Sequence, residues 1–371
     1  MRISKRKIRR LAAPSVRPRR DKMAAQFSFP HDGLVLGKYI YMKIATIGTD
    51  GHLHMVFDGF PLLDDVELVG MARGQPDDRP ERFRASPGVP ENAPVFDDYR
   101  QMLDRTKPDL VTVATPYGLH AEPCIEAAQR GCHLIVEKPV ATTLEDLYRI
   151  RQAVRAHKVR LTTLFAFRFF PVVAAMRKAI QGGMIGEPVL AFGQKSYRWG
   201  TSRPEFYKRR ETYGGSIPWV AIHAIDYIRY VTGQEYASVA ALHATKVHRD
   251  YPECEDCGGL LFKLANGGQA VITIDFLRPE KASTHADDRL RVAGSKGVIE
   301  MLDANQRVEL ITHEKPPHDL PLEKTPQFLV DFVRELRTGE PHLINAEDPF
   351  KVTEIALHAR EAADKGMIVN L

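Results

Sequence analysis

Residues 110–139 read LVTVATPYGLHAEPCIEAAQRGCHLIVEKP, and this stretch decides the fold of the chain. Residues 110–114 and 133–136 are short apolar runs typical of buried strands, and the helical segment between them ends at Gly131. The pattern is a β-α-β step, which brings the residues after each run to the carboxyl edge of two neighbouring parallel strands. Open α/β sheets bind their ligands at that edge, so Lys138 is a candidate for chemistry.

The flanking sequence predicts an α/β domain over residues 42–163. Strands and helices alternate along it, which predicts a doubly wound parallel sheet, the sheet type of Rossmann domains. The further strands are expected at residues 43–47 and 66–72, and the further helices at 52–60, 97–105 and 144–157.

The remaining sequence predicts a second domain over residues 164–371. Strands follow one another there with short turns such as Asn266-Gly267-Gly268, which are typical of antiparallel hairpins. We therefore expect an α+β domain with one large, mostly antiparallel open sheet. Its strands are predicted at 188–197, 238–247, 259–264, 269–276, 290–292, 298–301 and 308–311, and its helices at 176–181, 218–231, 328–337 and 349–364.

The composition indicates a globular protein without a membrane partner. The chain has 371 residues, 44% of them hydrophobic, and no apolar run approaches the roughly 18 residues that span a bilayer. Four cysteines argue against a disulfide framework, so we expect a reducing, cytoplasmic compartment. Cys254 and Cys257 have C-x-x-C spacing without a second pair of ligands nearby in sequence, so we expect no metal site.

Positive charge is concentrated in residues 1–41, which hold 11 Lys and Arg and 2 Asp and Glu. Residues 42–371 hold 41 Lys and Arg and 45 Asp and Glu. The body is therefore mildly acidic, and nucleic acid is not an expected partner. The basic segment could be a nucleic-acid arm or a targeting peptide, although it lacks the apolar core of a secretory signal. Because residues 42–48 resemble a natural start, we expect residues 1–41 to be disordered or an artefact of the assigned start site.

The first turn, Gly48-Thr49-Asp50-Gly51-His52-Leu53, resembles a G-x-G-x-x-G dinucleotide fingerprint in part. Its first glycine is present, but Asp50 and Leu53 occupy the other two glycine positions. A carboxylate repels a pyrophosphate, so Asp50 either points away or bonds backbone amides. A tight turn without a ligand is the alternative.

The end of the second predicted strand bears on the choice of cofactor. An acidic residue there holds the ribose 2′-hydroxyl of NAD, whereas an arginine accommodates the 2′-phosphate of NADP. The sequence reads Ala72-Arg73, which favours NADP, with NAD as the alternative. A solvated arginine in a polar loop is the other interpretation.

The sequence resembles the glucose–fructose oxidoreductase/inositol dehydrogenase (Gfo/Idh/MocA) family of NAD(P)-dependent sugar oxidoreductases. The resemblance covers about residue 43 to the end, with its motifs in the family's order, and Glu-Lys-Pro is the most specific of them. The motifs are Ala114-Thr115-Pro116 with His120, Gly131-Cys132-His133, Glu137-Lys138-Pro139, Phe167-Arg168-Phe169, Gly186-Glu187-Pro188, Gly214-Gly215 with His223 and Asp226, and Gly294-Ser295-Lys296-Gly297. The resemblance and the first turn together imply cofactor contacts from Gly48, Thr49, Asp50, Gly51, His52, Arg73, Ala114, Thr115, Pro116, His120, Glu137 and Lys138.

The resemblance also implies two catalytic residues. The lysine of Glu-Lys-Pro lies beside the nicotinamide in the family and contacts the substrate hydroxyl, so Lys138 would polarise the reacting oxygen. His223 matches the family's general acid/base. Related enzymes carry an aspartate four residues before it, whereas this chain has Trp219, which puts the usual mechanism in doubt. Trp219 could stack on a sugar, and Asp226 could orient His223.

The segment 198–213 is predicted to be an aromatic and basic loop suited to sugars. Aromatic faces pack on sugar rings, and its several arginines indicate an acidic sugar or a phosphate; solvated charge with aromatic core anchors is the alternative. The expected substrate contacts are Arg168, Trp199, Tyr207, Trp219 and Asp226.

We therefore expect an oxidoreductase that acts on a carbohydrate, polyol or sugar acid, and a homodimer or homotetramer through the open sheet. One alternative is a glycosidase or lyase that recycles a bound nicotinamide. Another is a non-catalytic cofactor- or sugar-sensing regulator, which the incomplete glycine fingerprint and Trp219 favour and the intact Glu-Lys-Pro disfavours.

Overall fold

The computed structural model describes residues 41–200 and 203–371. The predictions for the basic segment therefore concern residues that lie, except for Tyr41, outside the described ones. The first sheet consists of β1 (Met42–Gly48), β2 (Val66–Ala72), β3 (Val95–Phe96), β4 (Leu110–Ala114), β5 (His133–Val136) and β6 (Leu161–Thr163). Its helices are α1 (His54–Phe57), α2 (Tyr99–Thr106), α3 (Ala121–Gln129) and α4 (Leu144–Ala156).

The first sheet has the strand order β3-β2-β1-β4-β5-β6 with all pairs parallel, which confirms the predicted doubly wound fold. Every residue of β4 is buried, as expected for a parallel strand covered on both faces. The strand order reverses between β1 and β4, where Gly48 lies opposite Ala114. Ligands of such sheets bind in the crevice at this reversal.

The second sheet has nine strands in the order β14-β13-β12-β11-β7-β10-β9-β8-β15. Its members are β7 (Pro188–Arg198), β8 (Tyr236–Ala244), β9 (Cys257–Leu264), β10 (Gln269–Arg278), β11 (Ala286–Gly294), β12 (Gly297–Leu302), β13 (Arg307–Thr312), β14 (His318–Asp319) and β15 (Val369–Asn370). The mostly antiparallel pairing confirms the prediction, although β7 and β10 are parallel neighbours at its centre.

The remaining helices are α5 (Pro171–Gln181), α6 (Arg210–Tyr213), α7 (Ile222–Thr232), α8 (Phe328–Thr338) and α9 (Asp348–Lys365). Short 3-10 segments lie at Phe60–Leu62, Pro80–Ala85, Tyr117–Leu119, Ala166–Phe169 and Glu205–Lys208, and a π-helical turn covers Ile217–Ala221. None of these helices is long and apolar enough to cross a membrane, as far as the described residues go.

Among the helices, three predictions differ from the structure by more than two residues at a boundary. The helix expected at 52–60 is a single turn, α1, followed by a 3-10 segment, because Gly59 and Pro61 interrupt it. Helix α5 begins five residues before the predicted start, with Pro171 in its first turn. The helix expected at 218–231 begins as the π-helical turn before α7.

The C-terminal helix α9 joins the two sheets. Thr353 accepts a hydrogen bond from the amide of Val140 at 3.3 Å, and Arg360 donates to the carbonyl of Thr142 at 3.0 Å. Both partners follow the Glu-Lys-Pro motif, so α9 fixes the end of β5 against the second sheet. The boundary at residue 163 stays a prediction.

Candidate active site

The candidate site is a cavity of about 830 Å³ between the carboxyl edge of the first sheet and the inner face of the second. The first sheet contributes the segments after β1 and β5, and the second contributes β7 and β11. The polar and aromatic lining residues that matter below are His52, Lys138, Tyr197, Trp199, Arg203, Tyr207, Trp219, His223 and Asp288.

Lys138 lies at the end of β5 with its side chain directed towards the second domain. Its Nζ donates a hydrogen bond to the carbonyl oxygen of Trp219 at 2.6 Å and lies 5.1 Å from the centre of that residue's ring system. Burial lowers the pKa of Lys138 to about 8; the carboxylate of Glu137 opposes this shift and the ammonium of Lys195 adds to it. Lys138 can therefore exchange a proton near neutral pH.

Glu137 clamps the first turn against β5. Its carboxylate, fully buried, accepts a hydrogen bond from the His52 amide at 3.0 Å and contacts His52 Nδ1 at 2.7 Å. Burial opposes its ionisation, but His52 and Lys138 outweigh burial and hold the pKa of Glu137 below its ordinary value. A Cβ on Gly51 would lie 2.4 Å from the carboxyl carbon of Glu137, so Gly51 is required by this clamp.

His223 lies in the same cavity as Lys138, so the structure brings the two predicted catalytic residues together. It is 4% exposed and packs edge-on against His52, with ring centres 5.5 Å apart. Burial, followed by the nearby Lys138, Lys195 and His52, holds the pKa of His223 well below its usual range. His223 is therefore a neutral imidazole at physiological pH.

Arg168 and Asp226 lie away from this cavity, contrary to the expectation that they contact substrate. The Arg168 guanidinium bonds the Asp226 carboxylate at 2.6 Å and that of Asp348 at 2.6 Å, and all three residues are buried. The carboxylate of Asp226 is thus engaged by Arg168 instead of orienting His223. Arg229 bonds the other oxygen of Asp348 at 2.7 Å, so two carboxylates and two arginines form a structural ion-pair network.

Sequence reasoning missed the pair formed by Lys195 and Asp288. Lys195 Nζ is fully buried, 2.5 Å from a carboxylate oxygen of Asp288 and 3.7 Å from the centre of the Phe167 ring. The two residues are directly opposite each other on β7 and β11. Charged residues in otherwise alternating strands were the available signal, but only the strand register shows that they meet.

The first turn fits a dinucleotide at the reversal of strand order. Gly48 has φ of +86°, and a Cβ there would lie 2.2 Å from the carbonyl oxygen of Ala114. The amide of Asp50 donates to that same carbonyl at 2.8 Å, so the turn packs directly against the end of β4. The residues of this turn, at the reversal of strand order, would hold the nicotinamide cofactor.

Asp50 is the unusual member of this turn. Burial raises its pKa to about 7, with Asp78 and Glu137 adding to the shift and Arg82 opposing it. One of its buried carboxyl oxygens has no hydrogen-bond partner among the residues described. A protonated carboxyl could donate to a phosphate oxygen, whereas the carboxylate would repel it.

The other predicted cofactor residues are held by the protein itself. Thr49 Oγ1 donates to Asp78 at 3.1 Å, and Arg73 bonds Glu81 at 2.6 Å and Asp97 at 3.0 Å. His120 is buried between the carbonyls of Thr115, at 3.1 Å, and Pro139, at 3.0 Å. His120 therefore ties the ends of β4 and β5 together, and Ala114, Thr115 and Pro116 follow the crevice edge.

Aromatic rings form one wall of the cavity, and Trp199 and Tyr207 of the 198–213 segment belong to it. Trp219 packs against Tyr207 and Phe276, with ring centres 5.0 and 5.5 Å away, and Tyr207 bonds the hydroxyl of buried Tyr117 at 3.0 Å. Trp199 stacks on His248 at 3.9 Å. Flat apolar walls of this kind suit the faces of a sugar ring.

Within residues 41–200 and 203–371, no group of three or more His, Cys, Asp or Glu side chains is arranged to hold a metal ion. Cys254 is buried and Cys257 partly buried, and neither takes part in a disulfide in that part of the chain.

Comparison with known proteins gives two family matches. An oxidoreductase family with an NAD-binding Rossmann fold matches residues 42–165, and the GFO/IDH/MocA C-terminal domain matches residues 173–300. The chain is similar to myo-inositol 2-dehydrogenase of Thermotoga maritima, 25% identical over 345 residues that cover 89% of this chain and 98% of that protein.

Solved structures also resemble this chain. A protein from Thermotoga maritima, described only in general terms as an oxidoreductase, is 37% identical with a TM-score of 0.83, covering 89% of this chain and all of its own. Levoglucosan dehydrogenase, solved in complex with NADH, has a TM-score of 0.74 over 89% of this chain and 98% of its own. At 21% identity, that second structure shows the shared fold alone.

Proposed function

Because the chain belongs to the GFO/IDH/MocA oxidoreductase family, we propose that it moves a hydride between a nicotinamide and a CH–OH carbon of a carbohydrate, polyol or sugar acid. The observation that carries this proposal is the position of Lys138. Its pKa is lowered to about 8, and it lies at the carboxyl end of β5, in one cavity with neutral His223. An amine with that pKa beside a reacting hydroxyl suits alcohol oxidation and carbonyl reduction.

Each group has one role in the proposed reaction. The nicotinamide, when bound, accepts or donates the hydride. The Nζ of Lys138 holds the reacting oxygen and takes its proton during oxidation. His223 donates a hydrogen bond from its ring N–H to the same oxygen, since its depressed pKa keeps it a neutral imidazole and a weak proton acceptor. This assignment moves the proton from His223, where the resemblance placed it, to Lys138.

We favour NADP as the cofactor, with NAD as the alternative. Arg73 is positioned after β2, and its partner Asp97 has a side chain that is 91% exposed. Exposed pairs of this kind contribute little free energy, so a 2′-phosphate can replace Asp97. The nearby Glu81 is the feature that supports NAD, since its charge would repel a 2′-phosphate.

We also propose a homo-oligomer formed through the open sheet. Its outer face carries exposed apolar side chains at Leu242, Leu261 and Ile368, which are 73%, 48% and 66% exposed. Monomeric proteins rarely expose contiguous apolar patches of this kind. A second copy of the chain is the expected partner. A cytoplasmic location stays a prediction from the free cysteines.

Net formation of reduced cofactor from a panel of sugars, polyols and sugar acids tests the function. We expect turnover in oxidation to rise with pH through about 8, since deprotonation of Lys138 creates the proton acceptor. Product formation without net cofactor change, with nicotinamide released on denaturation, would instead support a recycled cofactor. Cofactor binding without any chemistry would support a sensing role.

A further inference from the structure

Arg203 is a cation held among aromatic rings at the cavity wall. Its guanidinium carbon lies 4.2 Å from the centre of Trp199, 4.4 Å from Phe276, 5.2 Å from Trp219 and 5.3 Å from Tyr207. Its Nε is buried and has no hydrogen-bond partner among the described residues, and no carboxylate there forms an ion pair with it. The backbone is fixed, since Tyr251 donates to the Arg203 carbonyl at 2.7 Å.

The other arginines of segment 198–213 are not available to a ligand in this way. Arg198 donates to the carbonyl of Glu280 at 3.2 Å. Arg210 bonds Asp364 at 2.9 Å and also pairs with Glu255, outside the cavity. Arg209 has a side chain that is 74% exposed, with Glu211 at 4.0 Å. Of the arginines that the structure describes in segment 198–213, Arg203 is therefore the one that lines this cavity.

The charge balance of the cavity points the same way. Its lining includes two carboxylates, Asp58 and Asp288, and Asp288 is compensated by Lys195 at 2.5 Å. Lys138 and Arg203 lie 5.1 and 5.2 Å from the centre of the same ring system, that of Trp219. One monosaccharide can therefore reach both cations.

We infer that Arg203 binds a carboxylate of the substrate, so that the preferred substrates are sugar acids, either uronates or aldonates. This inference rests on the proposed function, because the reacting hydroxyl of the same molecule lies at Lys138. Four aromatic rings surround the guanidinium carbon and Arg203 lines the cavity, so its terminal nitrogens would donate two parallel hydrogen bonds to a carboxylate. A single guanidinium matches the charge of one carboxylate, whereas a phosphate dianion calls for more donors.

Paired substrates test the inference with the full-length protein. We would compare kcat/KM for D-glucuronate with D-glucose, D-galacturonate with D-galactose, and D-gluconate with sorbitol, and include D-glucose 6-phosphate. We expect each acid to exceed its neutral partner by about tenfold or more. Arg203→Gln should reduce that preference by about tenfold to a hundredfold, and Arg203→Lys should restore part of it. Arg209→Gln, at an exposed arginine of the same segment, is the matched control and should leave the preference for acids unchanged.

Equal turnover of acids and neutral sugars, or a preference for the phosphate, would overturn the inference and leave the proposed function standing. If no sugar is turned over, or if Arg203→Gln fails to fold, calorimetric titration of the wild-type protein with D-glucuronate and D-gluconate tests the inference instead. Tighter binding of an acid than of its neutral partner supports a carboxylate site at Arg203. Absence of binding by all the acids overturns it, and parallel NADPH titration shows separately whether the proposed function survives.

Discussion

The Nζ of Lys138 donates a hydrogen bond to the backbone carbonyl of Trp219, 2.6 Å away. Position 219 is where the resemblance implies an aspartate and this chain has tryptophan. The contact is made by the backbone, and it is therefore independent of the side chain. The substitution can change what faces the substrate while the lysine stays in place.

Replacing Lys138 by alanine should reduce turnover by about 10²–10⁴-fold, because the group that holds the reacting oxygen and its proton is removed. Steady-state kinetics on the best substrate measures the loss, and circular dichroism should show an unchanged fold. Lys178→Ala is a matched control, since that side chain is 74% exposed and pairs with Glu323 on the surface. Near-normal turnover by Lys138→Ala would contradict the proposed mechanism.

Cofactor affinity should depend on the protonation of Asp50. Its pKa is raised to about 7, so the group is neutral below that pH and negative above it, beside the expected pyrophosphate. The Kd for NADPH should therefore increase by about tenfold as pH rises through 7. Asp78 and Glu137 add negative charge and Arg82 opposes it, which sets the midpoint.

Asp50→Asn should remove this pH dependence and bind NADPH at high pH as tightly as the wild type does at low pH. Fluorescence titration over a pH series measures both. Asp77→Asn, an exposed neighbour, is the control and should keep the wild-type slope. The same slope in Asp50→Asn would show that another group controls binding.

Breaking the buried pair between Lys195 and Asp288 should lower the free energy of unfolding. Asp288→Asn leaves the Lys195 ammonium buried without its counter-charge, which costs about 3–5 kcal/mol. Denaturant unfolding measures the loss. The double variant Lys195→Met with Asp288→Leu should recover most of it, because neither charge is then unpaired; a loss well under 1 kcal/mol in the single variant would argue against the pair.

An acidic side chain on the outer face of the open sheet should weaken the proposed oligomer. Leu242→Asp places a charge at a side chain that is 73% exposed on that face, and light scattering after size exclusion should show a smaller species. Leu62→Asp, 61% exposed but away from the sheet, is the control. A wild-type monomer would contradict the proposal outright.

Much of the fold was predictable because the signals are local. The runs at 66–72, 110–114 and 133–136 match β2, β4 and β5 residue for residue, since buried parallel strands are uninterrupted apolar segments. The parallel pairing of β7 with β10 was not predictable, because it depends on contacts between distant segments. The short first helix was missed although its signal is local, since Gly59 and Pro61 interrupt it in the sequence.

The site was predictable to a similar extent. The cavity shared by Lys138 and His223 was predictable, because each residue stands in a motif that follows or lies on a well-defined element. Arg168 and Asp226 lie elsewhere, since a sequence does not show whether an arginine faces a ligand or a buried carboxylate. The pair Lys195 and Asp288 depends on the register of two strands far apart in sequence.

The most direct test of the central claim is titration of the purified protein with NADPH and NADH, following quenching of Trp199 and Trp219 and the nicotinamide emission. We predict saturable micromolar binding, tighter for NADPH, and equal affinity in Lys138→Ala, since Lys138 serves chemistry more than binding. Failure of both cofactors to bind, with no nicotinamide released on denaturation, would contradict the account and leave a fold without the oxidoreductase activity of its family.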